Sequence, residues 1–136
     1  MVIEGHDLGD LVSKLPDGIH DALLHSLHLD FVARVACFDF ELAVGDPDAA
    51  TLEERDATRR GRIVVEDLAY CALDPPDPHY RFAAAEPVWT SSLYPEDPDA
   101  GLPKVEGMTA YRFFVNDWNS FVHITGGNAR LQWADE

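Results

Sequence analysis

The chain has 136 residues, with 25 Asp or Glu against 10 Lys or Arg, which gives a formal net charge of -15 at pH 7. This surplus repels phosphate backbones and anionic lipids, so it argues against nucleic acid and membrane partners and favours a basic protein partner. Hydrophobic residues make up 46% of the chain, enough for a packed core, so the acidity does not indicate disorder. We expect one globular domain over residues 1–136.

The first residues show neither the basic segment nor the apolar stretch of a secretory signal, so we expect a cytoplasmic protein. No run approaches the roughly 18 apolar residues of a membrane span. Cys37 and Cys71 each lie in an apolar, strand-like run. Because cysteine packs as a small hydrophobic residue and no oxidising compartment is indicated, we expect two buried free thiols.

Residues 7–14 predict a short helix, since their leucines recur at helical spacing and Asp7 can cap the first turn. The stretch 19–31 fits a helix or a strand. The next segment, 35–44, alternates apolar and other residues along its length, which is typical of a half-buried strand. This alternation favours strands over 22–31 and 35–44, joined as a hairpin in the centre of the fold.

Residues 45–58 predict a polar loop, in which Thr51 and Glu54 match a capping box but little apolar surface could anchor a helix. One long strand is predicted over 60–73, ended by the prolines of 75–78.

The stretch 79–107 is rich in proline and predicts only a short edge strand near 88–90. Three short strands follow at 111–115, 120–125 and 129–133, and we expect them to form a closing meander. The pattern as a whole predicts a mainly β protein: an antiparallel β-sandwich or open barrel of six to seven strands, with one short N-terminal helix.

The doublet His20-Asp21 is the first candidate for a functional site. Imidazole and carboxylate together suit Mn, Fe or Zn, so His20 and Asp21, with His123 as a further ligand, define a metal-site hypothesis. If 22–31 is a strand, the nearby His25 and His28 point to opposite faces and cannot share one ion. The alternative is a polar strand entrance in which His20 or Asp21 bonds local backbone groups.

The second candidate is a binding site formed by Asp117, Trp118 and Asn119 together with His123. Turns often carry function, and this one combines an aromatic ring with amide and carboxylate groups. The alternative is structural, because Asn and Asp favour tight turns and Trp118 can fold back onto the core.

Other charged segments have simpler interpretations. The acidic loops 46–56, 74–77 and 96–99 lack the spacing of an EF-hand, so we expect solvated loops. The arginines of 55–62 are expected to pair with the acidic residues beside them. The chain has no nucleophile elbow, phosphate loop or zinc-binding His pair, so we predict no catalytic residue and no cofactor.

Two segments carry a resemblance. Residues 17–22, with a Gly-x-His-Asp-Ala motif, and residues 113–123, with an Asn-Asp-Trp-Asn turn, resemble a group of small bacterial proteins of unassigned function. The resemblance implies a bacterial origin and a strand at 22–31, and it implies no reaction. Some small acidic bacterial proteins of this type resemble immunity proteins that neutralise toxins.

Three functional hypotheses follow. The first is an interaction module whose acidic surface meets a basic protein, with Trp118 or Trp89 at the centre of the contact. The second is a metal-dependent enzyme or small-ligand-binding domain that uses His20 and Asp21. The third is a structural subunit whose charge serves solubility alone.

Overall fold

The computed structural model describes residues 2–81 and 86–135. Within these ranges, no helix is long and apolar enough to cross a membrane. The described chain contains nine strands and two short helices. In chain order they are β1 Val2–Gly5, α1 Leu8–Ser13, β2 Ala22–Asp30, β3 Val35–Ala43, α2 Leu52–Arg55, β4 Thr58–Val65, β5 Tyr70–Leu73, β6 Val88–Pro95, β7 Ala110–Val115, β8 Ser120–Thr125 and β9 Ala129–Trp133.

All nine strands belong to one sheet, in the order β1-β9-β4-β3-β2-β6-β7-β8-β5, and every neighbouring pair is antiparallel. The hairpin of β2 and β3 stands at its centre, which confirms the strands predicted at 22–31 and 35–44. The mainly β, antiparallel class is also confirmed. The number of strands is not: the structure has nine in one sheet rather than six to seven.

The sheet curls around its core. Phe113 of β7 lies edge-on to Phe38 and Phe40 of β3, with ring centroids 5.9 and 6.1 Å apart, although β2 and β6 separate the two strands in the sheet order. These rings are almost fully buried, and apolar residues from most of the other strands join them. A continuous sheet therefore encloses one core by folding over itself.

The predicted N-terminal helix is confirmed as α1. The Asp7 carboxylate accepts a hydrogen bond from the backbone N–H of Asp10 at 2.8 Å, and Leu8 and Leu11 are buried on the inner face. A second helix, α2, replaces part of the loop predicted over 45–58. Its first turn is capped by Thr51, whose hydroxyl accepts from the N–H of Glu54, so capping rather than apolar burial defines it.

The single strand predicted over 60–73 is wrong. It is two strands with different partners: β4 lies between β3 and β9, whereas β5 pairs with β8 at the edge. The break falls between them, where Asp67 has a φ of 51°, outside the extended region. A residue in this conformation turns the chain from one part of the sheet to another.

Two further expectations need correction. The segment near 88–90 is not an edge strand, because β6 runs to Pro95 between β2 and β7. The closing meander is also wrong, since β9 leaves β8 and pairs with β4 and β1. Cys37 and Cys71 are free, as expected, but both are only partly buried.

Candidate functional site

His20 and Asp21 lie in the turn before β2. The Nε2 atom of His20 is 3.5 Å from a carboxylate oxygen of Asp21, and its Nδ1 atom is 3.4 Å from the Ser92 hydroxyl. Half or more of each side chain of the pair is exposed. Among residues 2–81 and 86–135, no three His, Cys, Asp or Glu side chains come together as a metal site would need. The metal site at His20 and Asp21 stays a prediction.

The turn that contains Asp117, Trp118 and Asn119 is tied to the sheet by its own polar groups. The Asp117 carboxylate accepts from the backbone N–H of Trp89 at 2.8 Å, and Trp118 packs against the core. Asn119 has a φ of 50°, which Asn tolerates better than most residues. Each residue of this turn therefore has a structural task, and its role in binding stays a prediction.

His123 does not join that turn. It projects from β8, between the buried Val122 and Ile124, toward the opposite face of the sheet. Its Nδ1 atom lies 2.7 Å from an oxygen of Glu96, and its Nε2 atom lies 3.0 Å from an oxygen of Asp74. Two acceptors on one ring are both satisfied only when both ring nitrogens carry a proton.

The protonation of His123 follows from this geometry. Burial alone would lower the pKa of His123, but hydrogen bonds to Glu96 and Asp74 outweigh burial, and the net pKa is raised above its ordinary value of 6.5. An imidazolium held on both sides has no lone pair for a metal or for proton abstraction. In this state His123 acts as a clamp between the ends of β5 and β6.

Arg112 completes what we call the His123 cluster: Asp74, Glu96, Arg112 and His123. Arg112 stands opposite His123 in the register of β7 and β8, and its guanidinium lies 4.8 Å from the centroid of the Phe121 ring. It is also 3.9 Å from Glu96, whose side chain is only 5% exposed. With His123 protonated, two positive and two negative charges balance in the cluster.

Two of the arginines of 55–62 pair with acidic residues from distant parts of the chain, which the expected local pairing did not include. Arg62 reaches across to Asp39 of β3 at 3.0 Å, and Arg59 binds Asp135 at 2.8 Å. Burial would raise the pKa of Asp39, but hydrogen bonds from Arg62 and Ser26 outweigh it, so the net pKa lies below 3.8. Strand register, not sequence proximity, selects these partners.

The second assembly is a groove of about 510 Å³ beside β6, here called the Trp89 groove. Trp89 is 48% exposed there, while its backbone is fixed on both sides: its N–H donates to Asp117 and its carbonyl accepts from the N–H of Asn116. The groove is lined by Asp17, Asp21, Ala43, Arg55, Asp56, Ala57, Thr58 and Trp89. It thus places an accessible indole among three carboxylates and one guanidinium.

Sequence reasoning missed both assemblies. The two partners of His123 lie 27 and 49 residues away from it along the chain, and the groove gathers residues from four separate segments. Of its acidic residues only Asp21 had been singled out, and that was for a metal. Trp89 itself was the one residue of the groove that the sequence offered as a binding candidate, and its exposure is known only from the structure.

Comparison of the chain with models of protein families, with curated proteins and with solved structures gave no match in any of the three. The resemblance of 17–22 and 113–123 to small bacterial proteins therefore stays a prediction. What the protein does has to be inferred from its own geometry and charge.

Proposed function

We propose that this protein is an interaction module that binds a basic protein through the Trp89 groove. One observation carries the proposal: a half-exposed indole on a fixed backbone stands in a groove that three aspartates line. Tryptophan is the largest side chain and usually buries most of its surface in the core. Accessible tryptophans are enriched where proteins contact their partners. Neutralisation of a basic toxin, as an immunity protein performs it, is the specific case that the resemblance suggests.

The chemistry of the groove suits an arginine or lysine side chain. A cation over an indole face gains about 0.5–1 kcal/mol from the ring quadrupole at an exposed site, and about 2 kcal/mol or more when water is excluded. Asp17, Asp21 and Asp56 add carboxylates that can accept hydrogen bonds from the same cation. Arg55 also lines the groove, but its Nε donates to the backbone carbonyl of Thr51 at 3.3 Å.

The net charge of the whole chain also supports a basic partner. A formal charge of -15 produces a long-range field that speeds the encounter with a cationic surface. Because exposed charges lose reach beyond a Debye length of about 8 Å at 0.15 M salt, such binding weakens as salt rises. The groove then supplies the position at which the encounter becomes a specific contact.

The test is an NMR titration with a capped peptide that carries three arginines separated by glycines. We expect saturable shifts of the Trp89 indole and of the amides near Asp17 and Asp56, and weaker binding in higher salt. A peptide of equal length with glutamate in place of arginine should produce no shift. Replacing all three groove aspartates by asparagine should weaken arginine-peptide binding at least about tenfold.

A matched variant separates the groove from net charge. Asp97→Asn, Asp99→Asn and Glu106→Gln together remove the same number of negative charges from exposed positions that do not line the groove. We expect this variant to bind the arginine peptide nearly as the parent does. Equal weakening in both triple variants, or shifts spread evenly over the surface, would reject the groove as the binding site.

A further inference from the structure

The turn between β2 and β3 exposes two large apolar side chains. Phe31 is 81% exposed and Val32 is 98% exposed. Neither side chain forms the turn: the Asp30 carboxylate accepts the N–H groups of Val32 and Ala33, and Arg34 supplies the left-handed φ of 57°. Since polar residues would serve a turn as well, two exposed apolar neighbours point to a contact outside the fold.

This tip is fastened to the start of β5. The Leu68 N–H donates to the Arg34 carbonyl at 2.9 Å, and the Arg34 guanidinium donates back to the Leu68 carbonyl at 3.2 and 3.3 Å. The two segments therefore present one preorganised surface. Between them lies a groove of about 350 Å³, with Phe31 on one side and Tyr70 and Cys71 on the other.

The wall of this groove is uncharged on the β5 side. Burial raises the pKa of the Cys71 thiol to about 11, so the thiol stays protonated at neutral pH. Its side chain packs against the core, which leaves the groove apolar where β5 begins.

β5 is an open edge of the sheet. It pairs with β8, and no other described strand pairs with it. The Asp74 N–H donates to the carbonyl of Phe121, so by the alternation of an antiparallel ladder the backbone groups of Cys71 and Leu73 point away from β8. An edge of this kind offers a row of donors and acceptors to an added strand.

We propose that the β5 edge and the Phe31–Val32 tip dock an extended segment of a partner protein, with an apolar centre and basic flanks. The added strand would pair with Cys71 and Leu73 and place an apolar side chain in the groove beside Phe31. Asp30 beside the tip and Asp67 before β5 are exposed and favour basic flanks. A second copy of the chain is disfavoured, since each carries a charge of -15. This surface lies outside the Trp89 groove and does not depend on it.

The probe is a capped heptapeptide that alternates lysine and valine, followed by amide hydrogen exchange. We expect added peptide to slow exchange at Cys71 and Leu73, whose N–H groups it would bond. The control peptide has the same charge but proline in place of the valines, which cannot form the ladder and imposes a different backbone. Equal protection by both peptides would mean simple charge attraction and would overturn the proposal.

Variants test the tip. The double variant Phe31→Ser/Val32→Ser should bind the alternating peptide at least about tenfold more weakly than the parent. Its melting temperature should be unchanged, because neither side chain packs in the core. Leu52→Ser with Val105→Ser removes two exposed apolar side chains elsewhere and should leave binding intact. The asparagine variant of the Trp89 groove should also leave protection at Cys71 and Leu73 intact, which keeps the two proposals separable.

Two results would overturn the proposal: unchanged binding by the Phe31/Val32 variant, or a concentration-dependent dimer in sedimentation that this variant abolishes. The second result would assign the surface to another copy of the chain.

Discussion

The His123 cluster and the ion pair of Arg62 with Asp39 are built alike but differ in their access to water. Both lie on the face of the sheet opposite the core, and both depend on cross-strand register. Arg62 is 57% exposed, whereas the Glu96 side chain is almost fully covered. A cavity of about 380 Å³ beside Glu96 is bordered by apolar residues of the segment that follows, Leu102, Val105 and Met108.

The difference shows that the contribution of an ion pair to stability depends on its access to water. In water, a pair such as Arg62 with Asp39 contributes about 0–1 kcal/mol, because solvent already stabilises both charges. In a covered site the same charges need each other, since removal of one leaves the others without water or a partner. Among the described residues, one oxygen of Glu96 and the Nε of Arg112 already lack a hydrogen-bond partner. The His123 cluster therefore tolerates the loss of a further hydrogen bond or charge poorly.

The largest expected effect comes from Glu96→Ala. It leaves the positive charges of His123 and Arg112 with Asp74 as their nearby carboxylate, and we expect unfolding free energy to fall by about 3 kcal/mol. Urea denaturation measures the loss. Glu106→Ala, an exposed glutamate in the same part of the chain, is the control and should change little. A loss below about 1 kcal/mol for Glu96→Ala would show that the cluster is solvated.

A smaller effect is expected from pH. The folded pKa of His123 is raised above 6.5, so its contribution to stability is complete below that pH and is lost as pH rises through the folded value. Melting temperatures recorded from pH 6 upward, at about 0.15 M salt, should show this decline. In His123→Gln the decline should disappear. If the melting temperatures of the parent and the variant fall equally as pH rises, His123 does not cause the loss of stability at alkaline pH.

The smallest effect is expected from Arg62→Ala, which should cost less than about 1 kcal/mol near neutral pH. Its pH signature has the opposite sign. The folded pKa of Asp39 is below 3.8, so its contribution is present above that pH and is lost as pH falls through the folded value. The difference in stability between the parent and Arg62→Ala should therefore be present near neutral pH and shrink as pH falls below 3.8. A cost comparable to that of Glu96→Ala would contradict the comparison.

The alternation of apolar and polar residues along the chain predicted five of the described strands. It located β2, β3, β7, β8 and β9, because a half-buried strand changes environment at every residue. It failed where the outcome depends on a distant partner or on one backbone angle. The turn at Asp67 separates two apolar runs, 63–65 and 68–73, that were predicted to form one strand. The choice of β4 over β8 as the partner of β9 leaves no mark in the sequence of β9.

The functional assemblies were less accessible to sequence reasoning. His123 and Asp117 were singled out, but the residues that determine the state of His123 come from the ends of β5 and β6. Trp89 was named as a candidate contact, and the aspartates around it were not assembled. Periodicity reports the face of a strand on which a residue lies, and it does not report which distant side chain meets it.

The position of β9 has a consequence for biosynthesis. β1 pairs only with β9 among the described strands, in a register that joins Val2 to Gln132, and β4 needs β9 to cover its outer edge. During translation, β1 through β8 therefore emerge before β9. Until then β1 has no partner, and β4 presents an unpaired row of backbone donors and acceptors. Long-range pairing of this kind is slow to form, so the nascent chain stays open to wrong pairing until its ninth strand arrives.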